Sequence, residues 1–129
     1  MSVSIEQKIS AYSADGINRG HLTVEVTVTN QGNEPILGSS SGLGFFLQNT
    51  EGGYVDGFHR TDPPLVDQTG PIPNGGSFHH EIHFDTGPVD IEQQYLLTCI
   101  FNQTKDHDSE TFTFRPLFLD TPGIAPFNR

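Results

Sequence analysis

Three short runs place ligating or titratable side chains at spacings on which chemistry can be built. In S-F-H-H-E-I-H-F, residues 77–84, His79, Glu81 and His83 take alternate positions, and on a strand they project from one face about 7 Å apart in succession. Zinc or nickel can take neighbouring members of such a row, as an H-x-H pair on a strand does. A solvated strand face is the plainer reading of the same residues. His80 falls on the opposite face, between Phe78 and Ile82, which is the position of a packed core or rim histidine. Asp106, Asp108 and Glu110 repeat the alternating carboxylates of a calcium loop, without its Gly at the sixth place or its distant bidentate Glu. No cofactor is expected, and calcium or zinc is the ion such runs would take if they took one.

The remaining reactive types are scattered. Cys99 is the single cysteine, so it has no internal disulfide partner, and its place in L-L-T-C-I-F is that of a small buried hydrophobe. His21, His59 and His107 stand apart from one another. There is no G-x-S-x-G nucleophile turn and no Gly-rich phosphate loop, so the chain is expected not to be an enzyme. Tyr12, Tyr54, Phe46 and Phe58 can line a sugar platform, although Trp, the strongest stacking residue, is absent. Asn102-Gln103-Thr104 matches a glycosylation acceptor, which matters only in a secreted protein.

Strands must position these groups, and the clearest is residues 22–30. Leu22, Val24, Val26 and Val28 share one face, and Thr23, Glu25, Thr27 and Thr29 the other, the period of two of a half-buried strand. It runs into N-Q-G-N-E-P, where Gly and Asn tolerate positive φ and Pro cannot donate to a ladder. Upstream, Val3, Ile5, Ile9 and Ala11 form an inward row interrupted by Gln7, which marks residues 3–12 as an edge strand or one that changes sheets midway. Residues 43–48 turn Leu43, Phe45 and Leu47 one way and Gly44, Phe46 and Gln48 the other, which leaves Phe46 as an exposed aromatic. A short returning strand is expected over residues 54–59, and a Pro- and Gly-rich crossover over 60–76.

Residues 77–85 alternate again, and residues 86–93 read as a linker or one helical turn. Tyr95, Leu97, Cys99 and Phe101 point inward, with Leu96 and Ile100 opposite, the pattern of a central strand. A hairpin tip at residues 105–108 leads to a last strand with Phe112 and Phe114 inward. About seven strands separated by turns predict an all-β, antiparallel sandwich over residues 1–115.

A chain of 129 residues is long enough for one domain with its own core. Hydrophobic residues make up only 33%, but ten are Phe, each contributing roughly 1.5–3 kcal/mol when buried. Sixteen acidic against six basic residues give a formal charge of −10. That field repels phosphate backbones and anionic lipid, so nucleic acid is not an expected partner. No apolar run reaches the roughly 20 residues of a membrane span, and the first residues do not form a basic-then-apolar leader. Cytoplasmic synthesis is the default expectation, with leaderless export leaving the same trace.

Three blocks together carry a resemblance: V-T-V-T-N-Q-G-N-E-P-I at 26–36, I-P-N-G-G-S-F-H-H-E-I-H-F at 72–84, and Y-L-L-T-C-I-F at 95–101 before a polar turn. This set resembles bacterial immunoglobulin-like domains, and is similar to the cell-adhesion-related domain found in bacteria and to the intracellular proteinase inhibitor fold. The resemblance implies an immunoglobulin-like sandwich used as a spacer, adhesive module or subunit. The adhesion domain's acidic, Asn-rich final turn is missing here.

The expected function is a non-catalytic protein–protein interaction module, a structural subunit whose partner is another protein or a second copy of itself. The alternative is a carbohydrate- or metal-dependent ligand-binding module. Residues 116–129 form a Pro-rich apolar tail. Its Phe118, Ile124 and Phe127, with Phe46, are the candidate interaction residues, because such a segment is costly to leave in water.

Overall fold

The computed structural model describes residues 3–39, 42–61 and 71–116. In chain order the strands are β1 (Val3–Ala14), β2 (Arg19–Asn30), β3 (Ile36–Leu37), β4 (Leu43–Asn49), β5 (His59–Arg60), β6 (Pro71–Ile72), β7 (Ser77–Pro88), β8 (Tyr95–Phe101), β9 (His107–Phe112) and β10 (Arg115–Pro116). No α-helix occurs among the described residues. A five-stranded sheet has the order β10-β1-β2-β7-β5, a three-stranded sheet the order β4-β8-β9, and β3 pairs with β6. All pairings are antiparallel except that of β10 with β1.

β2 is the centre of the larger sheet, and its clean alternation turns one face into the core. Leu22, Val24, Val26 and Val28 are all buried, and both neighbours pair along it, β1 on one side and β7 on the other. The two large sheets face each other in a sandwich. Aromatic rings cross the gap, Phe45 to Phe84 at 4.8 Å, Phe78 to Phe101 at 6.0 Å and Tyr12 to Phe112 at 6.0 Å between centroids. Val24, Val26, Phe84, Leu97, Cys99 and Phe112 lie in one core cluster, with Phe45 packed against it.

Several expectations are corrected. Ala11, placed inward from the odd phase, is exposed. The register slips between Ile9 and Ala11, and a bulge of one residue moves the inward phase onto Tyr12 and Ala14. Gln7 is not a gap in the row but a buried member of it, and its Nε2 donates to the Leu97 carbonyl across the sandwich at 3.1 Å. The returning strand over 54–59 shrinks to one bridge, Gln48 with Tyr54, and the two residues of β5. Gly57, at φ 74° with the Gly87 backbone where a Cβ would stand, turns the chain between them. Residues 86–93 hold the end of β7 and a turn rather than a helical one.

The two turn blocks that carried the family resemblance meet at one end of the molecule. Asn30 accepts Gly75 N–H at 2.8 Å, and its own N–H donates to the Gly76 carbonyl at 2.9 Å. Its buried side chain donates to the carbonyls of Glu34 and Ile72 and accepts Gly32 N–H. Asn74 Nδ2 closes the junction on the Gly32 carbonyl at 2.9 Å.

Candidate functional site

Cross-strand register arranges the outer face of the five-stranded sheet into rows: Glu6–Thr27–His79, Lys8–Glu25–Glu81, Ala11–Thr23–His83 and Ser13–His21–Asp85–His59. His79, Glu81 and His83 do share this face. Each, however, has its own contact there. His79 Nδ1 lies 2.9 Å from Thr27 Oγ1 and its Nε2 3.5 Å from Glu25, while His83 Nε2 lies 3.1 Å from Glu81. Among the described residues no three His, Cys, Asp or Glu side chains gather as a group able to hold a metal ion. His80 points the other way and bonds the Gly38 carbonyl at 2.7 Å.

Asp106, Asp108 and Glu110 do not converge either. β9 lies beside the outer edge of β1 with the same chain direction, and the three carboxylates accept the backbone N–H groups of Val3, Gln7 and Ile9 at 3.1, 3.0 and 3.0 Å. Asp108 and Glu110 sit on the core-facing side of β9, opposite Cys99 and Leu97. A charge is tolerated there because edge-strand donors that would otherwise be orphaned meet it. Farther along, β10 takes over with backbone pairing at Ser13 and Ala14. The alternating acids thus serve as a substitute strand.

One cluster escaped the sequence reading. His21 places Nδ1 2.7 Å from Asp85 Oδ1 and Nε2 3.0 Å from Asp15 Oδ2. Asp15 also fixes the β1–β2 turn by accepting the N–H groups of Ile17 and Arg19 at 3.0 Å. The hydrogen bond to Asp15 raises the His21 pKa above its usual 6.5, with Asp85 adding to the rise against partial burial. The hydrogen bond from His21, followed by that from Arg19, lowers the Asp15 pKa below 3.8. A cavity of about 580 Å³ adjoins the cluster, with His59 on its wall. Hairpin register brings Asp15 near His21 and is legible in the sequence; the approach of Asp85 needed the pairing of β2 with β7.

The outer face of the three-stranded sheet differs in kind. Its rows are Gly44–Ile100–His107, Phe46–Thr98–Ser109 and Gln48–Leu96–Thr111. No Asp, Glu, Lys or Arg occurs among these nine positions, on a chain whose formal charge is −10. Phe46 is 42% exposed and Tyr54, beside Gln48, 69%, their ring centroids 6.3 Å apart. Thr98 and Ser109 bond each other through their hydroxyls at 2.9 Å. Tyr12 and Phe58 do not join this pair, since Tyr12 packs on Phe112 and Phe58 stacks on Phe84 at 4.8 Å. Phe118, Ile124 and Phe127 lie outside the described residues.

No family model matches the chain, and no curated protein matches it. Among solved structures it is similar to YcdA of Bacillus subtilis, solved as a candidate lipoprotein, with a TM-score of 0.54 and 20% identity over 84% of this chain. The matched region is 36% of the YcdA chain. A candidate ApaA protein of Bordetella pertussis aligns with a TM-score of 0.47 at 12% identity, over 88% of this chain and 93% of that one. At such identities the likeness to YcdA speaks for the all-β fold alone.

Proposed function

We propose that the chain is a non-catalytic protein–protein interaction module with an immunoglobulin-like arrangement, acting as a structural subunit. The observation that carries this reading is the division of charge between the two outer faces. Protein interfaces are depleted of charged residues at their centres and enriched in aromatic ones. The outer face of β4, β8 and β9 has that composition, with Phe46, Leu96 and Ile100 set among neutral hydroxyl and amide groups. The opposite face, with Glu6, Lys8, Glu25, Glu81 and Asp85, has the composition of a surface kept in water. A photoreactive side chain at position 98 should form adducts with protein in the native cell, and one at position 29, on the charged face, should not. Equal yields from both positions, or none from either, reject the proposal.

The exposed pair Phe46 and Tyr54, with Gln48 nearby, favours one second reading, a platform for a neutral carbohydrate, because aromatic faces and amide groups suit a sugar's apolar and hydroxyl sides.

A further inference from the structure

We infer that the uncharged face of β4, β8 and β9 binds the same face of a second copy of this chain, forming a weak, symmetric, four-sheet dimer. The inference rests on the interaction reading above and names its partner.

Charge selects the occupant. Two bodies of charge −10 repel wherever their acidic surfaces approach, and over most contacts that repulsion acts within the Debye length of about 8 Å at physiological salt. Stacking through the neutral faces avoids this. Packed sheets lie about 10 Å apart, so in a stack of four the two charged outer faces are separated by roughly 30 Å, several Debye lengths. The acids of β9 do not interfere, since Asp108 and Glu110 point toward the core side and are engaged by β1. Only His107, at a corner of the face, carries a titratable group in these rows. A contact of one patch with itself is isologous and closes at two copies.

Size sets the strength. Three strands about 4.8 Å apart and about seven residues long span roughly 14 by 24 Å, a footprint of about 340 Å². A stable interface covers about 800 Å² per partner. The four apolar side chains Phe46, Tyr54, Leu96 and Ile100 therefore support association in the range of about 10 µM to 1 mM, not a permanent dimer.

Sedimentation velocity of the purified full chain from about 5 µM to about 2 mM at physiological salt tests this, because the range brackets the expected constant. The wild type should shift from monomer to dimer with concentration. Thr98→Glu, which sets two like charges face to face at the centre, should weaken dimerisation at least about tenfold. Thr29→Glu, on the charged face, adds the same charge and should leave it unchanged, with circular dichroism confirming that both variants fold. A wild type that stays monomeric throughout, or a dimer indifferent to Thr98→Glu, overturns the inference. So does a monomer whose Phe46 and Tyr54 resonances move on adding a neutral glucan oligosaccharide, which assigns the face to sugar. Photoadducts from position 98 to other proteins, with a monomeric wild type, would end this inference and leave the broader interaction reading standing.

Discussion

The Asp108 carboxylate accepts the backbone N–H of Gln7 at 3.0 Å across a seam where two strands lie side by side without a backbone ladder between them. Side-chain oxygens at the alternate positions 106, 108 and 110, just before and along β9, do the work of main-chain carbonyls. Removing one leaves a partly buried donor unsatisfied, which costs about 1–3 kcal/mol. Asp108→Ala should therefore lower the urea midpoint, while Asp108→Asn, which keeps an acceptor oxygen, should lose much less. Equal midpoints for wild type and Asp108→Ala would show that the seam contributes nothing.

Gly20 lies where β2 passes under Phe114. A Cβ there would stand 2.6 Å from Phe114 Cε1 and 2.8 Å from Thr86 Oγ1, the oxygen that accepts Gly20 N–H at 2.9 Å. Phe114 is buried among Tyr95 and Phe112 and has little room to retreat. Gly20→Ala should destabilise by about 1–3 kcal/mol, as overpacking does. Gly16→Ala, in open space nearby, is the control, and thermal melts that fail to separate the two would refute the account.

Alternation made the fold legible. The rows through Val24, Val26, Leu97 and Cys99 follow from period two alone, and turn chemistry marked the breaks at residues 30–35 and 60–76 but not the junction that Asn30 and Gly75 form between them. Ala11 was misplaced because a bulge carries no signature in residue type, only a change of phase that shows once β1 is paired with β2. Asp106, Asp108 and Glu110 were legible as a pattern but not as a purpose. The acceptor spacing that suits a cation also suits a strand edge, and the topology that brings β1 beside β9 selects between them. The uncharged outer face went unnoticed because its residues come from three strands, and no single one reads as unusual.

Cys99 should report on unfolding. Burial, with a contribution from the Asp108 charge, pushes its thiol pKa up to about 12 from 9.0. The thiolate is the reacting species, so at pH 8 the folded chain should resist aromatic disulfide reagents. Reaction should appear with the urea transition, at the same midpoint as the loss of circular dichroism. Rapid labelling in native buffer would contradict a sealed core.

His21 yields the last prediction, and its geometry fixes the sign. A neutral imidazole has one N–H, yet both ring nitrogens face carboxylate oxygens, at 2.7 and 3.0 Å. Only the doubly protonated ring donates to both. Because its folded pKa is raised above 6.5, the bridge is fully present below about 6.5 and is lost as pH rises through the folded value. Asp15 acts in the other direction, since its folded pKa is lowered from 3.8, and its share is lost as pH falls through that lower value. The bridge between the β1–β2 turn and β7 is thus strongest between about pH 4 and 6.5. With the ring 41% exposed, solvent screening keeps its contribution to global stability small, so a local probe is the right measurement. A proton NMR titration should place the His21 midpoint above 6.5, move it down in Asp15→Asn, and sharpen amide exchange at Ile17 and Arg19 as the bridge opens. A midpoint at or below the ordinary histidine value, unmoved by Asp15→Asn and Asp85→Asn alike, would mean that His21 is not held as an imidazolium between the two acids.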